Sequence, residues 1–406
     1  MPRLRRPAST WQSGFLLLML TAGYLSIAVS QLALGLALLA LLYRWVFRHE
    51  APPVTGLERP AALLAAWALL MIPFSTDAAQ SAVFYKRFYL FTAIWVAAAC
   101  AATEKRRRTM LACLLAGALA TCLYDQVMLV VRTGGLFRER MTGAFNPMTS
   151  GCLLMMGVLC GLGFLVAPGT SRRLRWGLAL ALAPLLVGVV MIMTRSAETG
   201  LLAGVGALLL VIRPRLFAGF AVAMVLVVVL VALQGERYMS RPPWNRLTPS
   251  YLTSDKNTTL RLEMWRGGWN MVKKHPLTGV GDRDLKEISP RYYTSADGLY
   301  FGHLHSNIPH MAAIWGLPGL LLGQGFVFAG LWMLVRRWRA LARQPGGAAA
   351  TPAAAGWLLA AIAVWAGFYV AGFTEWYFGD AESMLIYLAI LGAALGVRPQ
   401  APGAQA

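Results

Sequence analysis

Long uncharged apolar runs recur along the whole chain, and they decide its fold class before any other feature is considered. Runs of roughly 18–25 residues match a helix crossing ~30 Å of hydrocarbon at 1.5 Å per residue. In order they predict spans at 13–28, 30–46, 60–74, 83–102, 109–131, 147–167, 174–193, 197–212, 216–234, 308–335, 354–374 and 381–397. Those at 60–74 and 197–212 are short and fit tilted or re-entrant segments. Composition agrees: 58% of the residues are apolar and 13% charged, where soluble proteins run near half and a quarter. No ten-residue segments alternate in polarity, which argues against an outer-membrane barrel. The expected fold is all-α, a polytopic membrane protein of about twelve helices. Helices 1–9 fall within 1–234, a large partly helical loop within 235–308, helices 10–12 within 309–397, and a tail from 398 to 406.

Lys and Arg set the orientation. With the N-terminus inside, the cytoplasmic pieces hold 20 of the 37 basic residues against three acids (Glu50, Glu58, Glu104), a net +17. The Lys105-Arg106-Arg107-Arg108 run is the densest of them. The opposite side holds 17 basic and 14 acidic residues, a net +3. This is the positive-inside pattern, with both termini cytoplasmic. The formal charge of +20 is therefore mostly a topology signal. Arginines scattered among short loops form no basic stripe, which argues against a nucleic-acid partner. The run ending Ala28-Val29-Ser30 resembles a signal-peptide cleavage site, but a second apolar run follows at once and favours an uncleaved hairpin. Cys100, Cys113, Cys122, Cys152 and Cys160 all fall in apolar segments, without metal-ligand or disulfide-framework spacing.

The exception to short loops is 235–308, and loops this long in a compact fold are usually functional. Its middle predicts a helix capped by Asn257 or Thr258, with a body from Leu260 to about Lys274 and a stop at His275-Pro276. Leu277-Thr278-Gly279-Val280-Gly281-Asp282 then reads as a glycine-rich turn. On the helical wheel Trp265, Trp269 and Val272 fall within about 80° of Arg261, so Arg261 lies on the apolar face. A buried guanidinium needs a partner: either Glu263 or Asp255, or a bound anion. Arg195, at the outer end of one span, either snorkels to the interface or marks a polar pocket in the bundle. Lys86, Arg87, Arg138 and Arg140 lie on the outer side, where short loops are normally poor in basic residues. They fit either lipid headgroups or a bound polyanion such as a lipid diphosphate.

His305 precedes Ser306 and Asn307, either of which can cap the span beginning near Ile308-Pro309. The positive end of a helix dipole disfavours an imidazolium, and a neutral imidazole can act as general base on a hydroxyl. His303 and His310 are rivals that spacing does not remove. Asp282-Arg283-Asp284 matches a D-x-D metal signature of nucleotide-sugar enzymes, and it is set aside because nucleotide sugars are scarce outside the cytoplasm. Among short motifs, no zinc spacing, P-loop or G-x-S-x-G is present.

Four stretches together resemble the O-antigen ligase and polymerase superfamily. Arg261-Leu262-Glu263-Met264-Trp265, continuing to His275-Pro276-Leu277-Thr278-Gly279-Val280-Gly281, is similar to its R-x-x-x-W … hPl-x-GvG segment. His305-Ser306-Asn307, followed by Gly316, Gly319 and Leu320-Leu321-Leu322, resembles its H-N-x-x-L … G-x-x-G-L-L segment. Met193-Thr194-Arg195-Ser196 resembles its T-x-S-R stretch, and Arg140 to Pro147 its R-x-x-G-x-x-x-N-P stretch. Ser306 stands where an Asn is usual, and Trp315-Gly316-Leu317-Pro318 replaces an acidic-Leu-Gly run.

The resemblance implies a GT-C-like, metal-independent, inverting glycosyltransferase without cofactor at the outer, periplasmic face of the bacterial inner membrane. It implies an undecaprenyl diphosphate-linked glycan as donor, lipid A–core as acceptor, and membrane lipids as surroundings. In that reading His305 deprotonates the acceptor hydroxyl, and Arg261 and Arg195 hold the departing diphosphate. Lys86, Arg87, Arg138, Arg140 and Arg266 are further candidates for phosphate or core contacts. Within the superfamily, an O-antigen polymerase or a protein O-oligosaccharyltransferase is the alternative. A transporter would show internal repeats and matching broken spans, which this sequence lacks.

Overall fold

The computed structural model describes residues 9–136, 138–238, 256–344, 346–347 and 351–397. Among these, all regular structure is helical, and the α-helices are numbered here in chain order. They are α1 Thr10–Ala22, α2 Ile27–Arg48, α3 Glu58–Met71, α4 Ala78–Tyr85, α5 Ala93–Cys100, α6 Glu104–Thr133 and α7 Pro147–Val166. There follow α8 Arg172–Met191, α9 Arg195–Ile212, α10 Pro214–Tyr238, α11 Lys256–Lys274, α12 Asn307–Ala342, α13 Pro352–Ala371 and α14 Ala381–Leu395. The molecule is thus a multi-pass helical membrane protein.

Among the described residues, eight helical segments are long and apolar enough to cross a membrane. The expected spans at 13–28 and 60–74 correspond to α1 and α3, of only 13 and 14 residues. That at 216–234 lies within α10, of 25 residues, and that at 381–397 corresponds to α14, of 15 residues. The span at 83–102 is broken: Lys86–Thr92 winds as a 3-10 helix between α4 and α5. The expected cytoplasmic tail lies outside the described residues, as do Arg3, Arg5 and Arg6.

The centre is built by α7, α13 and α14, which are apolar all round and almost wholly buried, as expected of helices that meet neighbours on every side. In a lipid-filled environment such helices associate by close packing, and small residues permit it. A Cβ added to Gly163 of α7 would lie 2.4 Å from the Ala360 amide nitrogen of α13. Polar side chains close the helix ends. Arg337 of α12 donates to the carbonyls of Leu395 at the end of α14, of Val397 just beyond it and of Thr55 before α3. This meets the general need of terminal carbonyls for outside partners.

The kink in α12 positions the loop above it. Gly316 takes φ 70°, ψ −180°, a region open essentially to glycine alone. Pro318 has no N–H to offer the Ile314 carbonyl one turn earlier, and the Leu317 amide turns away to the Pro276 carbonyl, at 2.8 Å. The carbonyls of Ala313 and Ile314 are therefore open. They accept from the amides of Val280 and Gly281, at 2.8 and 3.1 Å, so the glycine turn docks directly into the broken helix. Trp67 of α3 donates its indole N–H to the Trp315 carbonyl, at 2.9 Å. The run that departs from the family pattern, Trp315-Gly316-Leu317-Pro318, is the anchor for residues 276–281.

Candidate active site

α11 packs on α12 through Met264, Gly267, Gly268, Met271 and Val272, its buried face. The expected face centred on the tryptophans shifts by part of a turn: Trp269 is exposed, because the contact surface is made by small residues and methionines. Gly268 permits the close approach of Leu304, and Trp265 donates its indole N–H to the Leu304 carbonyl, at 2.9 Å. α11 thereby grips the chain next to His305. Asn257 and Thr258 lie inside α11, which already runs from Lys256, and so do not cap it.

His305 has φ 46°, a left-handed backbone unusual for a residue with a side chain. Two contacts keep it there. The Asn307 amide donates to the Gly372 carbonyl, at 2.7 Å, and Asn307 Oδ1 accepts from the Phe378 amide, at 3.3 Å. Ser306 occupies the N-cap position of α12 without capping it, and turns its hydroxyl to the Gly372 carbonyl instead. The start of α12 is thus stitched to the α13–α14 connection, which carries Glu375.

Glu375 is the residue that sequence reasoning missed. Its two oxygens each lie 3.0 Å from His305 Nδ1, and Oε1 also accepts from the Trp376 amide, at 3.0 Å. Burial alone would raise this carboxyl. The hydrogen bond and charge of His305 outweigh it, with His303 and the Trp376 N–H adding to them, and hold it below its ordinary range. An ionised carboxylate only accepts, so Nδ1 must carry a proton, and whenever the ring is neutral its lone pair is at Nε2. That is the arrangement of an oriented general base.

The rival histidines are differently placed. His310 is buried in α12, accepts the Leu304 amide on Nδ1 at 3.3 Å, and packs at a tilt against Trp376 with centroids 4.1 Å apart. It braces the His305 segment. His303 stands beside His305 with ring centroids 4.2 Å apart and its Nδ1 3.8 Å from Glu375 Oε1. Burial, then the neighbouring His305, push its titration down against the pull of Glu375. His303, His305 and Glu375 are three possible metal ligands whose donor atoms lie within 4.8 Å of one another.

A second cluster joins this one through α9. Arg195 is its first residue and is half-buried. Arg140 donates to the Ile192 carbonyl and to Thr194 Oγ1, at 2.8 and 3.1 Å, so Arg140 and Arg195 meet at one turn. Ser196 hydrogen-bonds the Tyr377 hydroxyl at 2.8 Å, and that hydroxyl donates to the Met148 carbonyl at the start of α7. Tyr377 is two residues from Glu375, so the Arg195 turn and the His305–Glu375 pair share one framework.

Arg261 lies one turn before Trp265, half-buried. Among the described residues it forms no hydrogen bond or ion pair. The expected partner Glu263 instead accepts the Ala296 amide, and Asp255 lies outside the described residues. Arg87 turns inward, 3.4 Å from Asp282 and over the Phe84 ring. Burial pushes the Asp282 carboxyl up against the pull of Arg87. Asp284 points away to the Lys286 amide, so the two carboxylates of the D-x-D stretch do not converge. Lys86, Arg138 and Arg266 are exposed, and Arg138 donates to the Thr133 carbonyl. These three are not drawn into the cluster.

Residues 179–323, from α8 through the kink of α12, match the family model described as O-antigen ligase. This stretch, about a third of the chain, is similar to the O-antigen ligase family. The matched stretch includes Arg195, Arg261 and His305, and supports a glycan-transfer function of the O-antigen ligase and polymerase superfamily. Glu375, Arg140 and Arg87 lie outside it. A search of curated proteins returns no match.

Proposed function

We propose that this protein acts as an O-antigen ligase, transferring a glycan from undecaprenyl diphosphate to a sugar hydroxyl of lipid A–core, with inversion, at the periplasmic face of the inner membrane. The observation that carries the proposal is the His305–Glu375 pair, which leaves Nε2 of His305 available as a base. His305 takes the proton of the acceptor hydroxyl as its oxygen attacks the anomeric carbon. The bond to the diphosphate breaks on the opposite face, and the diphosphate leaves with the electron pair. An anomeric diphosphate is already activated, so the step needs an aligned nucleophile and charge stabilisation rather than ATP. Arg261 and Arg195 supply that stabilisation, Arg261 with a guanidinium that no described side chain engages.

The test uses purified protein, a lipid-linked glycan and three acceptors: lipid A–core, free glycan and protein. Transfer to lipid A–core is expected. Extension of free glycan instead would make the protein a polymerase, and transfer to protein an oligosaccharyltransferase. His305→Ala is expected to lose roughly 10²–10⁴-fold in rate, the usual worth of general base catalysis. A wild-type rate in that variant would remove the base. Arg261→Lys keeps the charge but loses the bidentate fork, and a loss of about 10–100-fold follows from a charged hydrogen bond of about 1.5–3 kcal/mol.

A further inference from the structure

The arrangement around Glu375 has a chemistry that glycan transfer does not use. Two imidazoles and one carboxylate converge: His305 Nδ1 lies 3.0 Å from both Glu375 oxygens, and His303 Nδ1 lies 3.8 Å from Oε1. All three donor atoms fall within 4.8 Å of one another. Zinc binds nitrogen at ~2.0–2.1 Å and oxygen at ~2.0–2.2 Å in a tetrahedron, which sets donor atoms roughly 3.3 Å apart. The two separations that involve Glu375 straddle that value, the two imidazoles offer donors within 4.8 Å of each other, and His303 Nδ1 accepts the His305 amide at 3.4 Å, a bond the ion would replace. The Trp376 amide, at 3.0 Å from Oε1, fixes the carboxylate from behind, as supporting shells do at metal centres. The His303 side chain is 38% exposed while that of Glu375 is 7% exposed, so one ligand opens to solvent and offers an entry path.

We infer that His303, His305 and Glu375 form a site for zinc or a similar late transition-metal ion, and that its occupation switches the transferase off. The reason is the proton inventory of His305. Without metal, Nδ1 holds the proton against Glu375 and Nε2 holds the lone pair. A metal takes the Nδ1 lone pair, and the single proton of the neutral ring then resides on Nε2. No proton is gained or lost by the ring; it has changed nitrogen. Nε2 becomes a donor and cannot accept a proton from an acceptor hydroxyl. The ion thus inhibits without having to fill the acceptor's place. Magnesium and calcium prefer six or more oxygen ligands, and a site with two imidazoles discriminates against them. The binding half of this inference stands on geometry, and the inhibitory half rests on His305 being the base proposed above.

The experiment uses the full-length protein, stripped with EDTA and then freed of the chelator. Cobalt(II) added without any glycan should give visible d–d absorption of the strength typical of four-coordinate cobalt at one equivalent, and zinc should bleach it. In the transfer assay, buffered zinc should abolish the rate, whereas magnesium and calcium in excess should not. His303→Ala, and His303→Gln as the milder exchange, should raise the half-inhibitory zinc concentration at least ~10-fold, each variant compared with its own metal-free rate. Absence of the cobalt band in the wild type overturns the site, whatever the role of His305. A cobalt band with a transfer rate that zinc leaves unmoved overturns the switch. Equal zinc inhibition of the wild type and both His303 variants overturns the assignment of ligands.

Discussion

Exchange of Glu375 for glutamine keeps the shape of the side chain but replaces an obligate acceptor with a group that can offer His305 Nδ1 either an oxygen or an NH₂. The imidazole then loses its fixed tautomer, and Nε2 carries the proton in a fraction of molecules. By analogy with other oriented bases, Glu375→Gln should lower the transfer rate by roughly 10²–10⁴-fold while leaving donor binding largely intact. Single-turnover kinetics with lipid-linked glycan would separate the two. Stability should respond as well, and its sign follows from the carboxylate. Glu375 is held below the ~4.3 of an unfolded glutamate. The stability it contributes is therefore fully present above that value and is lost as pH falls through the lower folded one. A melting series should show Glu375→Gln less stable than the wild type near neutral pH, with the gap closing under acid. A gap that persists or widens in acid would show that the charge is not what stabilises this pair. Nothing in the sequence marks Glu375, since it lies 70 residues from His305 in an aromatic turn, Glu375-Trp376-Tyr377-Phe378. His305, Arg261 and Arg195 were legible because each interrupts a local pattern: an apolar helix face, a span end or a helix start. Glu375 interrupts none, and its importance arises only when α12 docks on the α13–α14 connection.

At the scale of elements, the kink in α12 decides whether the loop above the bundle is held. In the sequence 308–335 reads as one span, and Pro318 stands out in it only as a departure from the family pattern, although a proline breaks the hydrogen bond one turn before it. What the broken turn receives was not visible, because the partner amides of Val280 and Gly281 come from a distant turn. Gly316→Ala places a Cβ about 2.2 Å from the Leu277 carbonyl oxygen in a conformation that costs other residues ~1–3 kcal/mol. The variant should show a lower melting temperature and loss of transfer together, because the docking of residues 276–281 and the α11 grip on Leu304 depend on the same crossing. Gly325→Ala in the same helix meets nothing within 4 Å and should gain up to about 1 kcal/mol from helix propensity. Equal melting temperatures for the two variants would show that the kink is not a structural requirement.

At the scale of the molecule, the apolar spans and the charge asymmetry make separate statements. The spans establish that the chain is a helical membrane protein, and hydropathy reads them well because lipid forces every backbone group to bond within its own helix. It reads length less well where a helix is short or interrupted, as at α1, α3 and the 3-10 turn bearing Lys86 and Arg87. Orientation rests on charge alone: a cytoplasmic side of net +17 against an outer side of net +3. If that holds, the His305–Glu375 pair and exposed Asp297 face outward, whereas Lys105 in the first turn of α6 and Arg339 in the last turn of α12, both exposed, face the cytoplasm. Single cysteines introduced as Asp297→Cys, Lys105→Cys and Arg339→Cys test this with a membrane-impermeant maleimide. Four of the native cysteines are buried and Cys113 is only partly exposed within α6, so the background should be low. Asp297→Cys should label in intact spheroplasts, and the other two only after permeabilisation. The reverse pattern would move the pair to the side where nucleotide sugars are made, and with it would go the argument for a lipid-linked donor.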